Sequence, residues 1–154
     1  SNNKENDESK EYFLETNIDD MNPELYSYIE ELLIKAGAQD VFKVPILMKK
    51  GRPAIELCVL VDARNLSEVE EVIWRETTSI GLRKFQIDKD KMDWRVVILT
   101  TKYGPVRVKI ASSVRGSAKY KAEYSDCEQI AKKNKISILK VYQEINYLIN
   151  KHFK

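Results

Sequence analysis

Residues 11–37, EYFLETNIDDMNPELYSYIEELLIKAG, hold the transition that decides the fold. The first eight alternate in polarity and predict a strand over 11–18. Asn22-Pro23 follows, a cap residue and then a proline suited to a first helical position. Leu25, Tyr28, Ile29, Leu32, Leu33 and Ala36 recur at the spacing of one helix face, and Gly37 supplies the stop. A strand followed by one amphipathic helix has to bury that helix against a sheet.

The flanking sequence supplies the sheet. Residues 40–48 and 54–61 are rich in β-formers and are joined by Lys49-Lys50-Gly51-Arg52-Pro53, which reads as a hairpin with a short basic tip. Ser67 and Glu70 make a capping-box pattern for a second helix, with Val69, Val72 and Ile73 inward and Gly81 beyond its end. Residues 82–87 read as a fourth strand. The order β-α-β-β-α-β predicts an α/β (α+β) fold, a ferredoxin-like split βαβ sandwich over about residues 11–90. Beyond it, 94–101 and 106–111 alternate around Tyr103-Gly104-Pro105 as a second hairpin. Val106, Val108 and Ile110 take one face of it, Arg107 and Lys109 the other. Ser125 or Asp126 opens a helix to about Lys133, and Ser137 caps a last one toward Phe153. Residues 91–154 are therefore expected to be a β-hairpin plus a two-helix extension. Residues 1–10 are polar, aperiodic and without an initiator Met, and read as an added scar and a disordered leader. The chain is expected to be a fragment of something longer.

Composition narrows the chemistry. No apolar run approaches the roughly 20 residues of a membrane span. Cys58 and Cys127 lie far apart, making neither a disulfide framework nor a metal knuckle, and fit a reducing cytoplasm. His152, near the end, is the sole histidine, which excludes Ser-His-Asp and Cys-His catalysis in the core and the usual zinc ligand set. What remains is carboxylates, amines, guanidinia and backbone. The net charge of +2 hides an asymmetry: residues 1–40 carry 3 lysines against 11 acids, residues 41–154 carry 23 lysines and arginines against 13. A basic remainder attracts a phosphate-bearing partner; an ordinary solvated surface accounts for it equally well.

Four segments are candidates for a site. Asp19 and Asp20, with Glu15 before them, suit a hard divalent cation that arrives with phosphates, or simply cap the helix together with Asn22. Lys49, Lys50 and Arg52 around Gly51 form a phosphate cradle or a solvated turn guarding an edge. Arg75, before Glu76-Thr77-Thr78, forks onto a phosphate or complements the end of its own helix. Residues 119–124, KYKAEY, interleave basic and aromatic groups able to stack a base, or make an ordinary surface strand or loop. Cys127 reads as a small buried apolar residue, and His152 as an exposed helix residue.

Together these strings resemble the C-terminal half of the LarC family, nickel insertion proteins of nickel-pincer cofactor biosynthesis. The resemblance is carried by Glu15-Thr16-Asn17-Ile18-Asp19-Asp20-Met21, Gly37-Ala38-Gln39-Asp40-Val41-Phe42 and Met48-Lys49-Lys50-Gly51-Arg52-Pro53. It continues through Arg75-Glu76-Thr77-Thr78, Tyr103-Gly104-Pro105-Val106-Arg107-Val108-Lys109, and Lys121, Glu123, Tyr124, Asp126 and Cys127, covering about residues 11–145. Ala122 departs from the proline usual there. The resemblance implies a nickel chelatase of the lyase class, a cyclometallase. Such an enzyme inserts nickel into a pyridinium bis-thiocarboxylate mononucleotide, completing the cofactor of lactate racemase-type enzymes with the help of CTP and Mn or Mg. This chain would be the CTP-binding C-terminal domain, with Lys49, Lys50, Arg52, Arg75, Lys109 and Lys121 on the triphosphate and Asp19 and Asp20 on its Mn or Mg.

No catalytic residue is implied, and the fragment alone is not expected to be active. Nickel, the substrate ion, favours imidazole and sulfur, so its delivery falls to the missing N-terminal region. Cations and carboxylates on separate elements lead to the expectation of a homo-oligomer with the site between subunits, cytoplasmic, binding neither membrane nor nucleic acid. Two other classes share the architecture: a regulatory small-molecule or nucleotide-binding module, and an RNA-binding domain. Against the last, Tyr12, Phe13 and Phe42 do not form the aromatic signature of an RNA-recognition sheet.

Overall fold

Leu14, Thr16 and Ile18 alternate with half-buried neighbours and are almost wholly buried, which fixes the inward face of the first strand. In the computed structural model, which describes residues 9–153, that strand is β1 (Glu11–Ile18). It is followed by α1 (Leu25–Lys35), β2 (Asp40–Leu47), β3 (Pro53–Asp62), α2 (Leu66–Glu76) and β4 (Arg83–Ile87). Every pair in the sheet is antiparallel and the order is β2-β3-β1-β4, the split βαβ arrangement that the sequence predicts. Tyr26, Ile29 and Leu33 of α1 and Val69, Val72 and Ile73 of α2 pack with Leu14, Ile18, Leu57, Val59 and Val61 into one core. Each such side chain contributes roughly 1.5–3 kcal/mol when fully buried. The opposite face carries Phe42, Val44 and Phe85, all exposed, around Glu15, Glu56 and the buried Cys58. β2 is an edge strand and carries a proline in its interior, Pro45.

The chain divides into two units between Lys89 and Asp90. The second holds β5 (Asp93–Thr101), β6 (Gly104–Ser112), β7 (Ala118–Ala122), α3 (Tyr124–Asn134) and α4 (Ile138–Phe153). Its sheet is ordered β5-β6-β7, again antiparallel. Val106, Val108 and Ile110 face Cys127, Ile130, Val141, Ile145 and Ile149 in a separate core, leaving Arg107 and Lys109 on the outer face as their alternation requires. Among the described residues no helix is long and apolar enough to cross a membrane.

The structure departs from the sequence reading in four places. On α1, Tyr26 is buried while Leu25 and Tyr28 are exposed, because the apolar stripe is wider than the strip the sheet covers. Asn22 does not cap the helix itself. Its side-chain oxygen accepts from the Glu24 N–H at 3.0 Å, turning the chain just ahead of the first turn. The Ser67/Glu70 capping box is not used: α2 starts at Leu66 behind Asn65. The buried Asp62 takes over the terminus, accepting from the Asn65 backbone and side-chain amides, both at 3.1 Å. The expected second hairpin has a third strand, β7; five residues alternating lysine with small or aromatic groups give a weak strand signal, and the β6 ladder provides the pairing. Of the expected leader, residues 1–8 lie outside the described residues, and the Lys10 carbonyl accepts from the Ala63 N–H at 2.9 Å.

Candidate functional site

Antiparallel order brings distant segments to one end of the first sheet. Ile18 is opposite Ile55, Leu47 opposite Pro53 and Glu15 opposite Arg83. The chain after β1, the β2–β3 turn and the connection from α2 to β4 therefore share that end. Asp19, Asp20, Lys49, Lys50 and Arg52 belong to these segments, and Arg75 to the last turn of α2 that leads into the third.

Each has a defined state. Arg52 Nη2 lies 2.7 Å from Asp19 Oδ2. The Thr78 hydroxyl donates to Asp20 Oδ1 at 2.5 Å. The connection carrying Thr78 is itself pinned: the Thr16 hydroxyl, buried at the end of β1, bonds the Ser79 hydroxyl and donates to the Gly81 carbonyl at 2.7 Å. Arg75 donates from Nε to Glu76 at 2.8 Å, and this neighbour holds the guanidinium above its usual basicity. The turn at Lys49–Gly51 is a single 3-10 turn in which Lys50 (φ 61°) and Gly51 (φ 70°) are both left-handed. Glycine adopts that conformation freely; lysine does so at some cost. Among the described residues neither Lys49 nor Lys50 has an acidic partner, so two ammonium groups stand free at the tip.

Glu15 is engaged elsewhere. On the helix-free face Arg83 Nε donates to it at 2.5 Å and Arg83 Nη2 donates to Asn17 at 2.7 Å. Arg83 holds Glu15 below the usual carboxylate range, whereas Glu56, hydrogen-bonded to Glu15, sits above it. Burial, reinforced by these acids, pushes the Cys58 thiol up to about 11. A thiol so placed stays protonated at neutral pH. Cys127 is likewise buried and its thiol raised by burial.

The second unit contains a built concavity. A cavity of about 270 Å³ on the outer face of its sheet is lined by Val96, Arg107, Lys109, Lys121, Glu123 and Tyr124. Lys109 and Lys121 are direct partners across β6 and β7. The Lys109 ammonium lies 4.4 Å over the ring of Trp94, which is half exposed on β5. Arg107 is held by Asp126 of α3 through 2.8 and 2.9 Å hydrogen bonds. That hydrogen bond, joined by one from the Arg107 N–H, pulls the Asp126 carboxyl down to about 2. Three cations against two carboxylates, Asp126 on Arg107 and Glu123 in the lining, leave this face positive, with the exposed rings of Trp94 and Tyr124 nearby, a combination suited to an anion that carries a flat group.

Among the candidates from the sequence, Lys109 and Lys121 share this cavity, and the other six share the end of the first sheet. Tyr124 belongs to the 119–124 segment that the sequence marks as able to stack a base; Arg107 and Trp94 are not singled out there, although the alternation along β6 puts Arg107 beside Lys109. Among the described residues no group of three or more His, Cys, Asp and Glu could hold a metal ion. Asp19 and Asp20, each already engaged, suit only a cation that keeps most of its water and is bound chiefly by phosphate.

A family model described as nickel insertion protein matches residues 1–142. The pyridinium-3,5-bisthiocarboxylic acid mononucleotide nickel insertion proteins of Clostridium acetobutylicum and Clostridium kluyveri are each 48% identical to the chain, over 139 and 136 residues. These alignments cover 90% and 88% of this chain but 33% and 34% of the relatives, so the chain spans about a third of the length of the curated relatives it matches. Among solved structures, the apo C-terminal domain of a cyclometallase involved in synthesis of the NPN cofactor of lactate racemase superposes with a TM-score of 0.86 at 35% identity. That match covers 92% of this chain and 97% of the solved one.

Proposed function

Since the chain belongs to the nickel insertion protein family, we propose that it is the nucleotide-binding portion of a cytoplasmic nickel insertase, taking up CTP with Mn or Mg. The full-length enzyme would insert nickel into a pyridinium bis-thiocarboxylate mononucleotide. One observation carries the reading: the cavity in which Arg107, Lys109 and Lys121 converge beside Trp94 and Tyr124. The three cations would neutralise part of the charge of a triphosphate, and the aromatic rings would take the base. At the end of the first sheet, Lys49, Lys50, Arg52 and Arg75 are further triphosphate contacts in this proposal, and Asp19 and Asp20 bind the hydrated Mn or Mg.

Nickel is the substrate ion, and its softer ligands are assigned to the remaining two-thirds of the enzyme. A homo-oligomer, with the site completed between copies of the chain, is part of the same proposal. Titration calorimetry of CTP, with ATP and GTP as controls, each with and without Mn²⁺, tests the reading. Selective, cation-dependent CTP binding supports it. Equal weak binding of all three nucleotides would reduce the cavity to a non-selective anion site, and binding that collapses steeply with salt without triphosphate preference would favour RNA instead.

A further inference from the structure

We infer that Asp126 is a positioning residue that presents Arg107 to the anion in the outer-face cavity of the second unit. The inference rests on reading that cavity as a phosphate site. Asp126 accepts three hydrogen bonds from one residue: Oδ2 from the Arg107 backbone N–H and from Nε, both at 2.9 Å, and Oδ1 from Nη2 at 2.8 Å. The guanidinium is thus tied back to its own backbone through a single carboxylate, which fixes both its rotamer and its plane. A second tie runs the other way, from the Glu123 N–H to the Arg107 carbonyl at 2.8 Å. One edge of the fork is spent on Asp126. Nη1 has no partner among the described residues, and Arg107 lines the cavity with Lys109 and Lys121. A side chain with most of its surface exposed and many rotamers is thereby held ready before any ligand arrives.

Charge and orientation make opposite predictions here. Asp126 cancels part of the positive charge of Arg107, so by charge alone its removal should tighten anion binding. If it orients the fork, its removal should weaken binding even though the face becomes more positive. CTP and inorganic tripolyphosphate titrated into the whole chain decide between them. The expected result for Asp126→Asn is about a tenfold loss of affinity for both ligands, the scale of one misdirected charge-assisted hydrogen bond. Asp126→Glu should recover part of it. In an Arg107→Ala background, Asp126→Asn should cost nothing further, which a merely structural role would not produce.

Binding as tight as or tighter than wild type in Asp126→Asn, with Arg107→Ala still weakened, would overturn the inference and leave the cavity reading standing. Wild-type chain that binds neither ligand would overturn both. Should Asp126→Asn fail to fold, Arg107→Lys carries the test, because it keeps the charge and loses the fork; unchanged affinity there would overturn the inference as well.

Discussion

Lys109 and Lys121 stand directly opposite each other across the β6–β7 ladder, on the same exposed face and on the same cavity. Like charges in directly opposed positions destabilise an antiparallel pair. Trp94 takes up one ammonium group; the other has no acidic partner among the described residues. A bound polyanion turns this repulsion into attraction.

Replacing Lys121 by Gln should therefore act in opposite senses on stability and binding. In anion-free buffer the variant is expected to gain about 0.2–1 kcal/mol, while triphosphate affinity falls about tenfold. Thermal melts with and without CTP check both, and an undiminished ligand-induced shift in the variant would take Lys121 out of the site.

Lys50 offers a similar dissociation in the first unit. Its left-handed conformation costs roughly 1–2 kcal/mol in a residue with a Cβ. Lys50→Gly should raise the denaturation midpoint by relieving that cost. Lys50→Ala should leave folding nearly as it was, and both should weaken triphosphate binding. Denaturant unfolding run beside calorimetry separates the two effects. Full affinity in Lys50→Ala would exclude the ammonium from the site.

The Asp126–Arg107 pair sets an acid limit. The folded carboxyl lies at about 2, against an ordinary value of 3.8. A depressed folded value gives stability that is complete above the ordinary value and is lost as pH falls toward the folded one. Stability should accordingly drop between about pH 4 and pH 2 by more in wild type than in Asp126→Asn. Superimposable acid-unfolding profiles would show that the pair contributes nothing to the fold.

Gly37→Ala should be among the costliest single-methyl changes. Gly37 has φ of +103°, and an added Cβ would come within 2.4 Å of the Asn65 side chain. Both the backbone and the junction between the end of α1 and the start of α2 would have to shift. A loss of about 1–3 kcal/mol is expected, measurable by urea unfolding.

Much of this was legible from residue order. The alternation of 11–18, the stop at Gly37 and the inward trio Val69, Val72 and Ile73 specified the first sheet and its helices, since each is a local pattern with one structural solution. Tyr26 against Tyr28 was not legible, because both fit a helical stripe and only the position of the sheet chooses between them. Asp62 was equally hidden: a carboxylate at the end of a strand caps the next helix only once the turn is closed. For the candidate site, the alternation on β6 set Lys109 and Arg107 side by side, but the opposition of Lys121 needs β7, whose five residues carry too little apolar periodicity to announce a strand. Trp94 reaches Lys109 through the β5–β6 register, a relation that no single segment contains.

Pro45 has a consequence for what the first sheet can become. An edge strand normally offers a row of outward N–H donors onto which another chain can align, and a proline breaks that row because it has none to offer. The opposite margin is β4, only five residues long and opening with Arg83 and Lys84. Both margins are blunted as templates for further strands, which favours a sheet that stops at four. Even with Phe42 and Phe85 open to solvent, lateral growth into fibrous assemblies is disfavoured along both flanks.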